Sequence, residues 1–149
     1  MPIVYKENYD FRIGQAISLK NGKEICILAT GSLVSIALKT AEELEALGIS
    51  TAVMDVHTIK PFDDKIRKEA VNYRLIVTAE EHSVIGGIGS AAAEALSGYP
   101  YHPPLLRIGI EGEYPHGASY SYLMEINGLT KDKMTEKIVK KYREIEMLG

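Results

Sequence analysis

Four short apolar runs, separated by three helical segments, constrain this chain more than any other feature. Residues 25–29 read ICILA, and residues 51–56, 75–79 and 105–110 are comparable runs. An apolar run without alternation fits a strand covered by helices on both faces. After the first run Val34, Ala37, Leu38, Ala41, Leu44 and Leu47 recur at helical spacing until Gly48 stops them. After the second, Lys60-Pro61-Phe62-Asp63 supplies a turn, with Asp63 as N-cap of a helix reaching about Tyr73. An alanine-rich helix ends near Ser97-Gly98 and a Pro-rich connector leads to the fourth run. Crossovers of this length make the strands parallel.

Ahead of this series, residues 16–19 form a further β run, joined to residues 24–29 by Lys20-Asn21-Gly22-Lys23. Asn-Gly supplies the two positive-φ positions of a type I′ turn, so an antiparallel hairpin is expected to open the domain. Beyond the fourth strand come a loop at 111–118, a short helix near 119–126 and a last helix opened by Thr130, with Met134, Ile138, Tyr142 and Ile145 as its apolar stripe. The expected fold is a three-layer α/β/α sandwich of about five strands, mostly parallel, with one antiparallel edge strand. Residues 1–15 read as a linker or arm and residues 16–149 as one domain.

Composition excludes several function classes. The 149 residues are 46% hydrophobic and 25% charged, the balance of a soluble globular domain. Seventeen Lys and Arg against 20 Asp and Glu leave a net charge of -3, so nothing electrostatic calls for nucleic acid or an anionic membrane. No run approaches the length of a membrane span, and residues 1–14 lack the apolar core of a secretion signal. Cys26 is the single cysteine and sits mid-strand, so no internal disulfide forms and its thiol is expected to be buried and inert. A cytoplasmic location is expected.

Gly87-Ile88-Gly89-Ser90-Ala91-Ala92 matches G-x-G-x-x-A between a strand and a helix, the setting of a dinucleotide fingerprint. Glu80 and Glu81 stand where the phosphates would lie, and His82 to Ile85 intervene before the turn. A nucleotide- or anion-binding module using residues 86–90 therefore stays as the alternative reading. Asp55, His57, Glu80, Glu81 and His82 fall at or beyond expected strand ends and could converge as an acid/base or metal group, although no ligand-pair spacing occurs. There is no G-x-S-x-G elbow. Tyr99, Tyr101, Tyr114, Tyr120 and Tyr122 crowd the last third, a composition favoured at protein contacts.

The segments ILATGS (27–32), DVHTIKP (55–61), VTAEEHSVIGGIGS (77–90), RIGI (107–110) and NGLT (127–130) together resemble the C-terminal domain of transketolase, in its order and spacing, from Ala16 onward. Deoxyxylulose-phosphate synthases and the β subunits of 2-oxo acid dehydrogenases carry the same domain type, and HTIKP with EEHS favours transketolase. The resemblance implies an enzyme that uses thiamine diphosphate and Mg to move two-carbon ketol units between sugar phosphates. It also implies that two preceding domains hold the cofactor, one of them through a Gly-Asp-Gly motif, and no Gly-Asp-Gly occurs here. No catalytic, cofactor-binding or metal-binding residue is therefore expected in this chain. Its implied role is packing against the preceding cofactor-binding domains or subunit and assembly into a homo-oligomer, with Glu81, His82, Gly86, Gly87, Gly89 and Tyr114 as interface candidates. The loop at 111–118 reads EGEYPHGA, where relatives carry an aspartate, an aromatic and a Ser-Gly pair; Tyr114 can take the aromatic place.

Overall fold

The computed structural model describes residues 11–83, 86–112 and 117–148. Its elements are β1 (Ile17–Lys20), β2 (Ile25–Ala29), α1 (Leu33–Ala46), β3 (Thr51–Asp55), α2 (Asp64–Glu69), β4 (Leu75–Ser83), α3 (Ile88–Ser97), β5 (Leu105–Ile110), α4 (Tyr120–Ile126) and α5 (Lys131–Leu148), with one 3-10 turn at Ala70–Asn72. The five strands form one sheet in the order β1-β3-β2-β4-β5. β2, β3, β4 and β5 run parallel, and β1 is the antiparallel edge. The expected three-layer α/β/α architecture is what the chain adopts.

Strand periodicity assigns the two cores. Ile25, Ile27 and Ala29 of β2 pack with α1, Met124 of α4 and Met134, Ile138 and Tyr142 of α5. Cys26 and Leu28 face the other way, against Ile66 of α2 and Ile88, Ala92 and Leu96 of α3. All five β2 residues are buried, as ICILA requires of a central strand. Among the described residues no helix is long and apolar enough to cross a membrane.

The expected hairpin does not form. β1 pairs with β3, with Ile17 opposite Asp55, and β3 lies between β1 and β2. β2 is buried on both faces and has a fully hydrogen-bonded neighbour on each side, whereas β1 is only half-buried and suits an edge. The Asn21-Gly22 link instead crosses the start of β3, where Lys23 N donates to Ser50 Oγ at 3.0 Å and Glu24 N to Ser50 O at 2.9 Å. A Cβ on Gly22 would overlap the Thr51–Ala52 backbone, so close approach rather than a positive φ accounts for this glycine.

Two boundaries also shift. β4 runs to Ser83 rather than Ala79, because its ladder with β5 resumes after an irregularity, Ala79 opposite Ile108 and Ser83 opposite Ile110. Glu80, Glu81 and His82 thus lie within the strand, not beyond it. Leu47, expected on the buried stripe of α1, is 56% exposed, because the helix ends at Ala46 and Gly48 turns the chain with φ +84°.

Candidate functional site

In an open parallel sheet, ligands enter where strand order reverses, at the carboxyl ends of the strands. Here that point lies beside β2, with β3 on one flank and β4 on the other. The residues standing at it are Ser32, between β2 and α1, and Glu80 and Glu81 on β4. Neighbours on a strand point to opposite faces, so the two glutamates part company.

Glu80 turns to the α3 side and is 1% exposed. Its Oε1 accepts from Ile88 N at 3.0 Å and its Oε2 from Gly89 N at 2.8 Å. A carboxylate there satisfies two amides that the helix cannot and meets the positive end of the helix dipole. A Cβ on Gly87 would overlap the Glu80 carboxylate, and one on Gly89 would lie 2.8 Å from Arg107 Nε and 3.1 Å from Thr78 Oγ1. The glycines that match a dinucleotide fingerprint therefore make room for the chain's own side chains. Ser90 Oγ accepts from Gly86 N and from Arg107 Nη2, both at 2.8 Å, which fixes the turn in which Gly86 has φ +85°.

Glu81 turns to the α1 side, half-buried, and accepts a hydrogen bond from Ser32 Oγ. Ser32 occupies the N-cap position of α1 without capping it, because its hydroxyl is directed to Glu81. Beside Glu81 a cavity of about 20 Å³ is lined by Ile110, Tyr120, Leu123, Met124 and Leu129. That is room for about one water, not for a substrate.

Asp55, His57, Glu80 and Glu81 do not converge. Asp55 and His57 belong to the β3 end, separated from β4 by β2, while Glu80 and Glu81 face opposite layers. Among the described residues no group of three His, Cys, Asp or Glu is placed to hold a metal ion. His57 stacks on Phe11 with ring centres 4.2 Å apart, and its Nδ1 hydrogen-bonds Thr58 Oγ1 at 2.8 Å. His82 lies in β4, Gly86 is exposed, Gly87 half-buried and Gly89 buried. Tyr114 and His116 lie outside the described residues.

Sequence reasoning missed the fastening of the arm. Ala16 N donates to Asp63 Oδ2 at 2.8 Å while Asp63 Oδ1 caps α2 by accepting from Lys65 N at 2.9 Å. Gly14, with φ +84°, packs where a Cβ would stand 3.1 Å from Pro61 Cγ. The only sequence signal was Asp63 itself, whose capping role was legible and whose second acceptor oxygen was not. Cys26 is buried as expected, and burial, followed by the nearby Glu69 charge, pushes its thiol up to about 12. Tyr101, Tyr120 and Tyr122 are exposed, while Tyr99 lies under the Arg67 guanidinium, 5.4 Å from its centroid.

Comparison with known proteins places this geometry. The family model for the transketolase C-terminal domain matches residues 14–134. The chain is 46% identical over 125 residues to a 6-deoxy-6-sulfo-D-fructose transketolase subunit of Clostridium sp. (strain MSTE9), covering 83% of this chain and 38% of that protein. It is 43% identical over 119 residues to the 1-deoxy-D-xylulose-5-phosphate synthase of Heliobacterium modesticaldum (strain ATCC 51547 / Ice1), covering 79% of this chain and 18% of that one. A solved split gene transketolase, described as an inactive β4 tetramer, superposes with a TM-score of 0.86 at 38% identity, over 93% of this chain and 46% of that one. The chain spans less than half the length of these relatives.

Proposed function

The chain belongs to the transketolase C-terminal domain family, and from that premise we propose that it is a non-catalytic assembly domain of a thiamine-diphosphate-dependent ketol transferase. The complete enzyme moves two-carbon ketol units between sugar phosphates, in the cytoplasm, with thiamine diphosphate and Mg held by companion domains or a companion subunit. This chain supplies the carboxyl edge of its sheet, with Glu81, His82, Gly86 and Tyr114 as contacts, while Gly87 and Gly89 shape that edge from within. It also associates with a second copy of itself. The similar split gene transketolase, titled an inactive β4 tetramer, supports both parts of this reading.

The observation that carries it is the occupation of the first α3 amides by Glu80. A diphosphate needs such amides free. The residues at this edge do not fit thiamine diphosphate or its metal, and no step of the reaction is assigned to them. The same occupation weighs against the free-standing anion-binding module.

The test is ketol transfer from a ketose phosphate to an aldose phosphate, with thiamine diphosphate and Mg added. The chain alone is expected to give no turnover, and turnover is expected when the companion cofactor-binding polypeptide is supplied. Glu81→Gln, which keeps an oxygen to accept from Ser32 Oγ, is then expected to lower activity of the mixture by weakening assembly while leaving the thermal midpoint of the chain nearly unchanged. Turnover by the isolated chain overturns the reading.

A further inference from the structure

The outward side of α5 is patterned as deliberately as its buried side. Met134, Ile138 and Tyr142 face the core. A second stripe, with Glu136, Val139, Lys140, Arg143 and Met147, joins Glu43 of α1 to line an open groove of about 570 Å³. Its apolar members are the half-buried Val139 and Met147, which is 88% exposed. Leu47, 56% exposed, borders the same stretch of α5 beside Val139 and Arg143.

Charge is sorted along this groove. Asp132, Glu136 and Glu43 lie toward the start of α5, Lys140 and Arg143 toward its end, where Glu144 also lines the groove. Lys131 pairs with Glu43 at 2.8 Å and Lys141 with Glu144 at 3.9 Å. Among the described residues Glu136, Lys140 and Arg143 make no ion pair.

We propose that this groove is an isologous interface with a second copy of the chain, in which α5 packs antiparallel on α5 about a two-fold axis between Val139 and Lys140. A two-fold contact must be self-complementary, and with Glu144 taken up by Lys141, Glu136 followed by Lys140 and Arg143 on one helix is complementary to its own reverse. In that register Glu136 stands opposite the second copy's Arg143, and the reverse pair repeats roughly 10 Å along the helix, seven residues at the helical rise. The two copies of Val139 flank the axis at the centre, and Met147 lies over the acidic end of the facing groove. This inference rests on the self-association proposed above and names its surface; it does not depend on what meets the carboxyl edge of the sheet.

The experiment is sedimentation equilibrium of the 149-residue chain, with E136R, R143E and the double variant. Both residues are exposed, so folding should survive each reversal, and far-UV thermal melts verify it. The wild type is expected to dimerise. Each single reversal, which sets like charges together twice per dimer, should raise the dimer Kd about tenfold or more, and the double variant should return to within about threefold of the wild type. A wild-type dimer indifferent to either reversal, or singles that the double variant fails to rescue, would overturn this surface and leave self-association standing. A wild type that stays monomeric into the high micromolar range would overturn the self-association itself, and the surface with it.

Discussion

The Gly89 amide donates to Glu80 Oε2 at 2.8 Å, tying the first turn of α3 to the middle of β4 inside the buried layer. Ile88 N makes the matching bond to Oε1 at 3.0 Å. Glu80→Ala removes both acceptors and leaves two buried amides without partners, each costing about 1–3 kcal/mol. Glu80→Gln keeps one carbonyl oxygen but forfeits the charge-assisted second bond, so it should cost less, about 1–2 kcal/mol. Urea unfolding of the two variants measures the order. A Glu80→Ala variant as stable as the wild type would mean that the helix start is not held by this carboxylate.

At Gly87 the Glu80 carboxylate fills the space a side chain would take. Gly87→Ala should therefore destabilise the chain by about 1–3 kcal/mol, the range for overpacking a filled site. In the Glu80→Ala background the obstacle is gone, and the same substitution should cost much less. A double-mutant cycle with a coupling of about 1 kcal/mol or more is expected. Strict additivity would count against the contact.

How much of this was legible follows from the reach of each signal. ICILA announced a strand buried on both faces, and the spacing of Val34, Ala37, Ala41 and Leu44 announced the helix on it, because burial and period are local properties. The pairing of β1 was not local. Asn21-Gly22 is a strong hairpin signal, but β2, fully buried, and β3, buried at four of its five residues, compete better for adjacency than a half-buried edge does. Glu80 and Glu81 were legible as unusual at a strand end and illegible as a pair, since only the position of helices on both faces tells that they diverge. The fingerprint G-x-G-x-x-A was present for a reason that no spacing reveals.

Asp63 fastens two segments with one carboxylate, Lys65 N on one oxygen and Ala16 N on the other. Asp63→Ala should cost about 1–2 kcal/mol as the loss of an N-cap. It should also loosen the segment before Ala16, whose anchors include the Phe11–His57 stack and the packing of Gly14 on Pro61. Limited trypsin digestion reads this directly at Arg12, and cleavage there should rise several-fold in the variant. Lys65→Ala, which leaves the Asp63 carboxylate in place, should not raise it.

Glu24 holds the opposite edge of the sheet. Its carboxylate accepts from Ser50 N and from Tyr142 Oη, each at 2.7 Å, so it ties β2 and the β3 entry to the second half of α5. Tyr142→Phe should cost about 1 kcal/mol, because Glu24 keeps its amide partner. Glu24→Ala should cost more, since the Ser50 amide and the tyrosine hydroxyl both lose their acceptor. Chemical unfolding checks the order, and equal losses would argue that the hydroxyl contributes nothing.

Alkaline pH probes the core through Cys26. Burial, then the Glu69 charge, lifts its thiol from 9.0 to about 12. A thiol whose folded value lies above its unfolded value stabilises the fold fully below about pH 9, where it is protonated in both states. As pH rises toward 12 the unfolded chain gives up the proton while the folded one keeps it, so this stabilisation is progressively lost. Tyr73, also raised to about 12, adds a parallel loss that begins nearer pH 10. Urea midpoints should hold steady up to about pH 9 and then fall, and Cys26→Ala should flatten the first part of the fall, although it is less stable at neutral pH. The same burial should leave the native thiol unreactive toward a disulfide reagent at pH 8 and fully reactive in denaturant. Prompt labelling of the native chain would show that the β2 core admits solvent.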